Sequence, residues 1–194
     1  MAHFIQHLNH VWVCDSGKIG AFYLQLDKLT EGGDAELVSK AIAAGEFLLR
    51  MQLPSGDLSG SVYNTDNGTV THGSNFAGTV SAVYLWAELY NTTGNATWIE
   101  AAERAVGVIR SQWMQPGAYM FCGGELDDLF NAKGECSDIG TTSVMYGTMG
   151  FSSLALVTAD DPRHAALHAT ALNATRMLAD YMEAQQEVRE TNCE

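Results

Sequence analysis

Hydrophobic and polar positions along the chain fall into two alternating kinds of helical segment. The first kind is apolar nearly all round. Gly17 to Leu26 carries a single charge, Lys18, while Phe76 to Ala87 and Ile139 to Ala159 carry none. A helix without a polar face must be enclosed by other protein. The second kind is amphipathic. In Ala35 to Gln52 the stripe is Leu37, Ala41, Ala44 and Leu48, flanked by Val38, Ile42 and Leu49, with Glu36, Lys40, Glu46 and Arg50 opposite. Trp98 to Met114 turns Trp98, Ala101, Ala102, Ala105, Val106 and Ile109 inward. Arg163 to Ala184 repeats the design with Leu167, Ala171, Ala174, Leu178 and Tyr181.

The order is enclosed, amphipathic, three times over, and the joints repeat with it. Asp34, Asn95 and Asp161 each precede an amphipathic helix, where a short acceptor side chain can cap the first turn, and Pro162 suits a first helical position. These caps are spaced by 61 and 66 residues. Two helices per period of about 60 residues predict an array of αα-hairpins.

Composition narrows the function classes. Apolar residues make up 46% of the 194 and charged residues 17%, which is a globular balance. A formal charge of −13 repels phosphate backbones and anionic membranes, so neither nucleic acid nor a membrane is an expected partner. Ile139 to Ala159 is long enough to span a bilayer, but its many Gly, Ser and Thr residues leave it weakly apolar. The chain opens without the basic and apolar runs of a secretory signal. Yet Asn67, Asn91, Asn95 and Asn173 each begin a glycosylation sequon, where roughly one is expected by chance. A piece of a secreted protein is the favoured reading, and a cytoplasmic protein the alternative.

Enclosed helices alternating with amphipathic ones, through joints such as Gly94-Asn-Ala-Thr-Trp-Ile-Glu-Ala-Ala102, resemble the (α/α) toroid superfamily. Its members include six-hairpin glycosidases, polysaccharide lyases, sugar epimerases and terpenoid cyclases. The resemblance spans about residues 15 to 187. It implies an all-α fold of three αα-hairpins, apolar helices inside and amphipathic ones outside, in one domain over residues 1–194. A closed ring holds more hairpins than these, so the expectation is a fragment, or a chain completed by missing hairpins or by another chain.

Short joints link inner to outer helices, and long ones, Leu53 to Asn75 and Pro116 to Gly140, link outer to inner. In such an array all long joints gather at one rim, where the resemblance places the active site. That rim collects Asp57, Tyr63, His72, Asn75, Tyr119, Glu125, Asp127, Asp128 and Asp138. Glycoside hydrolysis needs one protonated and one ionised carboxyl, and clustered acids such as Glu125, Asp127 and Asp128 separate each other's pKa values. The same cluster also reads as a solvated loop or a calcium clamp. His72, with Tyr63 or Tyr146, suits proton transfer, and equally a helix-start hydrogen bond; Asp138 suits catalysis or an N-cap. Asp57, Tyr63, Asn75, Tyr119 and Tyr146 are the candidate substrate contacts. Cys122 and Cys136 bracket the acidic loop and suit a disulfide in an oxidising compartment. No cofactor or metal is expected. The predicted function is a carbohydrate-active enzyme, foremost a glycoside hydrolase. The alternatives are a polysaccharide lyase-like protein, a non-catalytic repeat scaffold, or a terpenoid-cyclase-like toroid, echoed faintly in Gln52-Leu-Pro-Ser-Gly-Asp-Leu58.

Overall fold

A computed structural model describes residues 10–30, 32–59, 62–71, 76–113 and 141–191. Three hairpins account for most of it. Helix α1 (Val13–Leu29) returns as α2 (Ala35–Met51), α3 (Phe76–Thr93) as α4 (Ala96–Val108), and α5 (Thr141–Thr158) as α6 (Ala165–Thr191). A π-helical turn, Ile109–Trp113, extends α4, and a 3-10 turn, Pro162–His164, opens α6. The three expected caps are made. Asp34 accepts from the Glu36 and Leu37 amides, Asn95 from Thr97 and Asp161 from Arg163.

The odd-numbered helices form the inner layer. α3 lies between α1 and α5, with α2 behind α1 and α3, α4 behind α3, and α6 behind α5. This position explains the composition of α3, which is buried from Phe76 to Leu89 except for the half-buried Tyr84. Trp86 is fully buried and its indole N–H donates to the Gly45 carbonyl 3.3 Å away; Trp98 is also core. Outer helices bury one stripe each: Ala41, Gly45, Leu48 and Met51 on α2, and Leu167, Ala171, Ala174 and Leu178 on α6. Small residues set the spacing of the inner layer. A Cβ on Gly150 of α5 would stand 2.5 Å from the Val80 carbonyl oxygen of α3, and one on Gly17 of α1 would strike Ser81.

Two sequence expectations need correction. The apolar composition of α1 predicts enclosure, yet Ile19 is 48% and Phe22 60% exposed, because α3 and α2 cover only part of it. An end helix of an open arc has one inner neighbour, and a segment's composition does not say which position it takes. The sequence predicts a loop for the joint 53–75, yet it holds a β-hairpin. β2 (Val62–Asn64) pairs antiparallel with β3 (Val70–Thr71) and with β1 (His10–Trp12), in the register Val11 opposite Tyr63 and Tyr63 opposite Val70. Asn67 and Gly68 make its turn, Gly68 at φ 69°. Strands this short leave little alternating pattern to read.

No helix among the described residues is long and apolar enough to cross a membrane.

Candidate functional site

A row of polar side chains links the three inner helices. Lys18 of α1 places its Nζ 3.2 Å from the Tyr146 hydroxyl of α5 and 3.0 Å from Asp15 Oδ1. The Tyr146 hydroxyl donates to the same Asp15 oxygen at 3.3 Å. These bonds bridge α1 to α5 across α3, the helix that lies between them. Burial pushes the Tyr146 hydroxyl above its ordinary range, against the opposing pull of Lys18; Lys18 is itself held charged, chiefly by its hydrogen bonds to Asp15 and Tyr146. Tyr84 of α3 accepts help from Gln25 of α1, but burial still raises its hydroxyl. Further along, Glu88 of α3 takes Lys28 of α1 at 2.6 Å and Ser153 of α5 at 2.5 Å, joining all three inner helices.

The two ends of this row differ in their surroundings. Asp15 and Tyr146 stand near the starts of α1 and α5, and the long joints likewise enter α3 and α5 at their starts. Lys28, Glu88 and Ser153 stand towards the opposite ends, near the short joints. The first cluster therefore shares the rim from which the expected catalytic loops depart.

A second feature lies on the α1–α2 side. Val11, Ser16, Ile19, Ala44, Phe47, Tyr63 and Thr65 line a groove of about 330 Å³. Tyr63 is half-buried there, its ring edge-on to Phe47 at 5.6 Å between centroids.

Of the residues singled out from sequence, Tyr146, Tyr63 and Asp57 are described, and they have separate partners. Asp57 is 3% exposed and accepts from the Ser55 hydroxyl. It sits in the turn after α2, which Gln52 fastens to α4 through the Ala101 carbonyl at 3.0 Å and Arg104 at 2.8 Å. His72, Asn75, Tyr119, Glu125, Asp127, Asp128 and Asp138 lie outside the described residues, as do Cys122 and Cys136. Among the described residues no group of three or more His, Cys, Asp or Glu is placed to hold a metal. The sequence reading missed Asp15, Lys18, Lys28 and Glu88. A usable signal existed: Lys18 and Glu88 interrupt otherwise uncharged stretches of inner helix, where a charge needs a partner.

Neither a protein-family model nor a curated protein sequence matches the chain. Solved structures do. A family 76 glycoside hydrolase from a bovine Bacteroides thetaiotaomicron strain superposes with a TM-score of 0.63 at 11% identity, over 89% of this chain and 35% of its own. A sugar epimerase from a ruminal bacterium superposes with a TM-score of 0.63 at 16% identity, over 87% of this chain and 42% of its own. The chain thus spans well under half the length of either structure. At such identities the likeness speaks for architecture: three αα-hairpins arranged as an arc of an (α/α) toroid.

Proposed function

We propose that the chain is part of a carbohydrate-active enzyme, with glycoside hydrolysis by carboxylates of the long-joint rim as the favoured reaction. The observation that carries this is the superposition of almost the whole chain on two structures whose names describe sugar-processing enzymes. The polar cluster of Asp15, Lys18 and Tyr146 at the same rim supports it, since a sugar cleft needs polar groups on its wall. In this reading Glu125, Asp127 and Asp128 supply the acid and the base or nucleophile, with His72 and Asp138 as further candidates. The four sequon asparagines are all exposed, as glycosylation of a secreted enzyme would require.

The test is release of reducing ends from a panel of neutral oligosaccharides. Asp127→Asn and Asp128→Asn are each expected to cut kcat by about a hundredfold or more if the carboxyls do acid–base work. Unchanged turnover in both variants overturns the assignment. Turnover that exchanges solvent deuterium into the sugar without cleaving it assigns proton-transfer chemistry instead, and His72 and Tyr146 become its groups.

A further inference from the structure

We propose that Asp15, Lys18 and Phe22 form a subsite for a neutral sugar ring on the exposed side of α1, with Tyr146 as its positioning residue. The proposal rests on the carbohydrate reading and deepens it, by naming a binding surface that is fully described.

Spacings of three and seven residues put Asp15, Lys18 and Phe22 in one stripe along α1, about 10 Å from end to end. A pyranose presents a rim of hydroxyls, each both donor and acceptor, and a flat face of C–H bonds. Two neighbouring hydroxyls are matched by an acceptor and a donor standing side by side. Asp15 and Lys18 are such a pair, 3.0 Å apart, with side chains 44% and 41% exposed. An ammonium group has three N–H bonds. Those of Lys18 are directed to Asp15 and Tyr146, which leaves one for a ligand. The C–H face is matched by an aromatic ring held in water, and Phe22, one helical turn beyond Lys18, is 60% exposed.

Tyr146 completes the arrangement from beneath. It is 4% exposed, so it touches little that arrives from solvent, but its hydroxyl bonds both charged heads and its ring lies 5.4 Å below the ammonium. A lysine is costly to immobilise on binding because it loses many rotamers; one already held loses fewer. The pair also cancels its own charge, so it has no preference for an anionic sugar, and the −13 of the whole chain disfavours one.

The experiment is calorimetric titration of the 194-residue chain with neutral gluco-, manno- and galacto-trisaccharides, alongside the turnover assay. Lys18→Met, Asp15→Asn and Phe22→Ala are each expected to weaken binding by about tenfold or more. Phe22→Trp keeps the platform and should keep the affinity. Tyr146→Phe should weaken trisaccharide binding severalfold, and that loss should vanish in the Lys18→Met background, a coupling that general structural damage does not give. If the wild-type chain neither binds nor turns over any of these sugars, the subsite and the carbohydrate reading fall together. If sugars are turned over, and Asp127 and Asp128 variants lose that turnover, while the α1 variants bind as wild type does, the subsite alone is overturned. It is also overturned if Phe22→Ala alters the sedimentation coefficient and not the affinity, since Phe22 is then an assembly surface.

Discussion

Asp161 shows how a single residue ties local structure to pH. Its carboxylate accepts from the Arg163 amide and pairs with the Arg163 guanidinium at 2.7 Å. The side-chain hydrogen bond to Arg163 lowers its pKa from 3.8 to about 2. A carboxyl whose folded pKa lies below its unfolded one stabilises the fold above the unfolded value and loses that contribution as pH falls through the folded value. The expected window is therefore from about 4 down to about 2. Asp161→Asn, which keeps a capping oxygen and removes the charge, should lower the melting temperature at neutral pH and flatten its fall across that window; parallel acid limbs would rule the pair out as the cause. At Asn95 the cap carries no charge, and Asn95→Ala should cost about 1 kcal/mol in denaturant unfolding at any pH. Caps were legible in the sequence because a cap is local: a short polar residue just before a periodic stripe. The triad of Asp15, Lys18 and Tyr146 was not. Its members are 128 and 131 positions apart across the bridging bonds, and nothing near Tyr146 marks its partner.

At the scale of elements, the inner layer depends on how closely helices approach. Gly150 allows α5 to lie against the α3 backbone at Val80, and neither partner at that contact is the flexible end of a side chain. Gly150→Ala is expected to destabilise the chain by about 1–3 kcal/mol, in spite of alanine's better helix propensity. Gly107 on outer helix α4 is the control: nothing lies near its would-be Cβ, so Gly107→Ala should be neutral or stabilising by up to about 1 kcal/mol. A common response of both variants in thermal melts would show that propensity, and not packing, decides. The alternation of enclosed and amphipathic helices was readable for α3 because burial on every side demands an apolar residue at every position. It misled for α1, where the same apolar composition includes an exposed Phe22 and Ile19. It was silent on the β-hairpin, whose strands have three and two residues and whose first strand pairs with β1 about 50 positions away.

At the scale of the whole molecule, the arc brings the starts of its inner helices to one rim, and the loop from Cys122 to Cys136 belongs to the joint that enters α5 there. Glycine costs the most entropy to order and that joint contains Gly123, Gly124 and Gly134, whereas carboxyls that act on a glycosidic bond must hold their geometry within about 0.5 Å. A disulfide between its ends would reconcile the two. Closing a loop of this length contributes about 3 kcal/mol in the loop-entropy picture. Expressed through an oxidising pathway, the chain is expected to yield a Cys122–Cys136 linked peptide in non-reducing mass mapping. Glycan on any of Asn67, Asn91, Asn95 or Asn173 would report the same compartment, since all four are exposed. Cys122→Ser with Cys136→Ser should then lower stability by no more than that amount, and lower kcat far more than the affinity for a trisaccharide bound along α1. Free thiols at both positions in secreted protein would remove the staple and weaken the secretory reading with it. A linked loop whose removal leaves kcat unchanged would make it structural, and the search for the catalytic carboxyls would move to Asp138 and to the joint that carries His72.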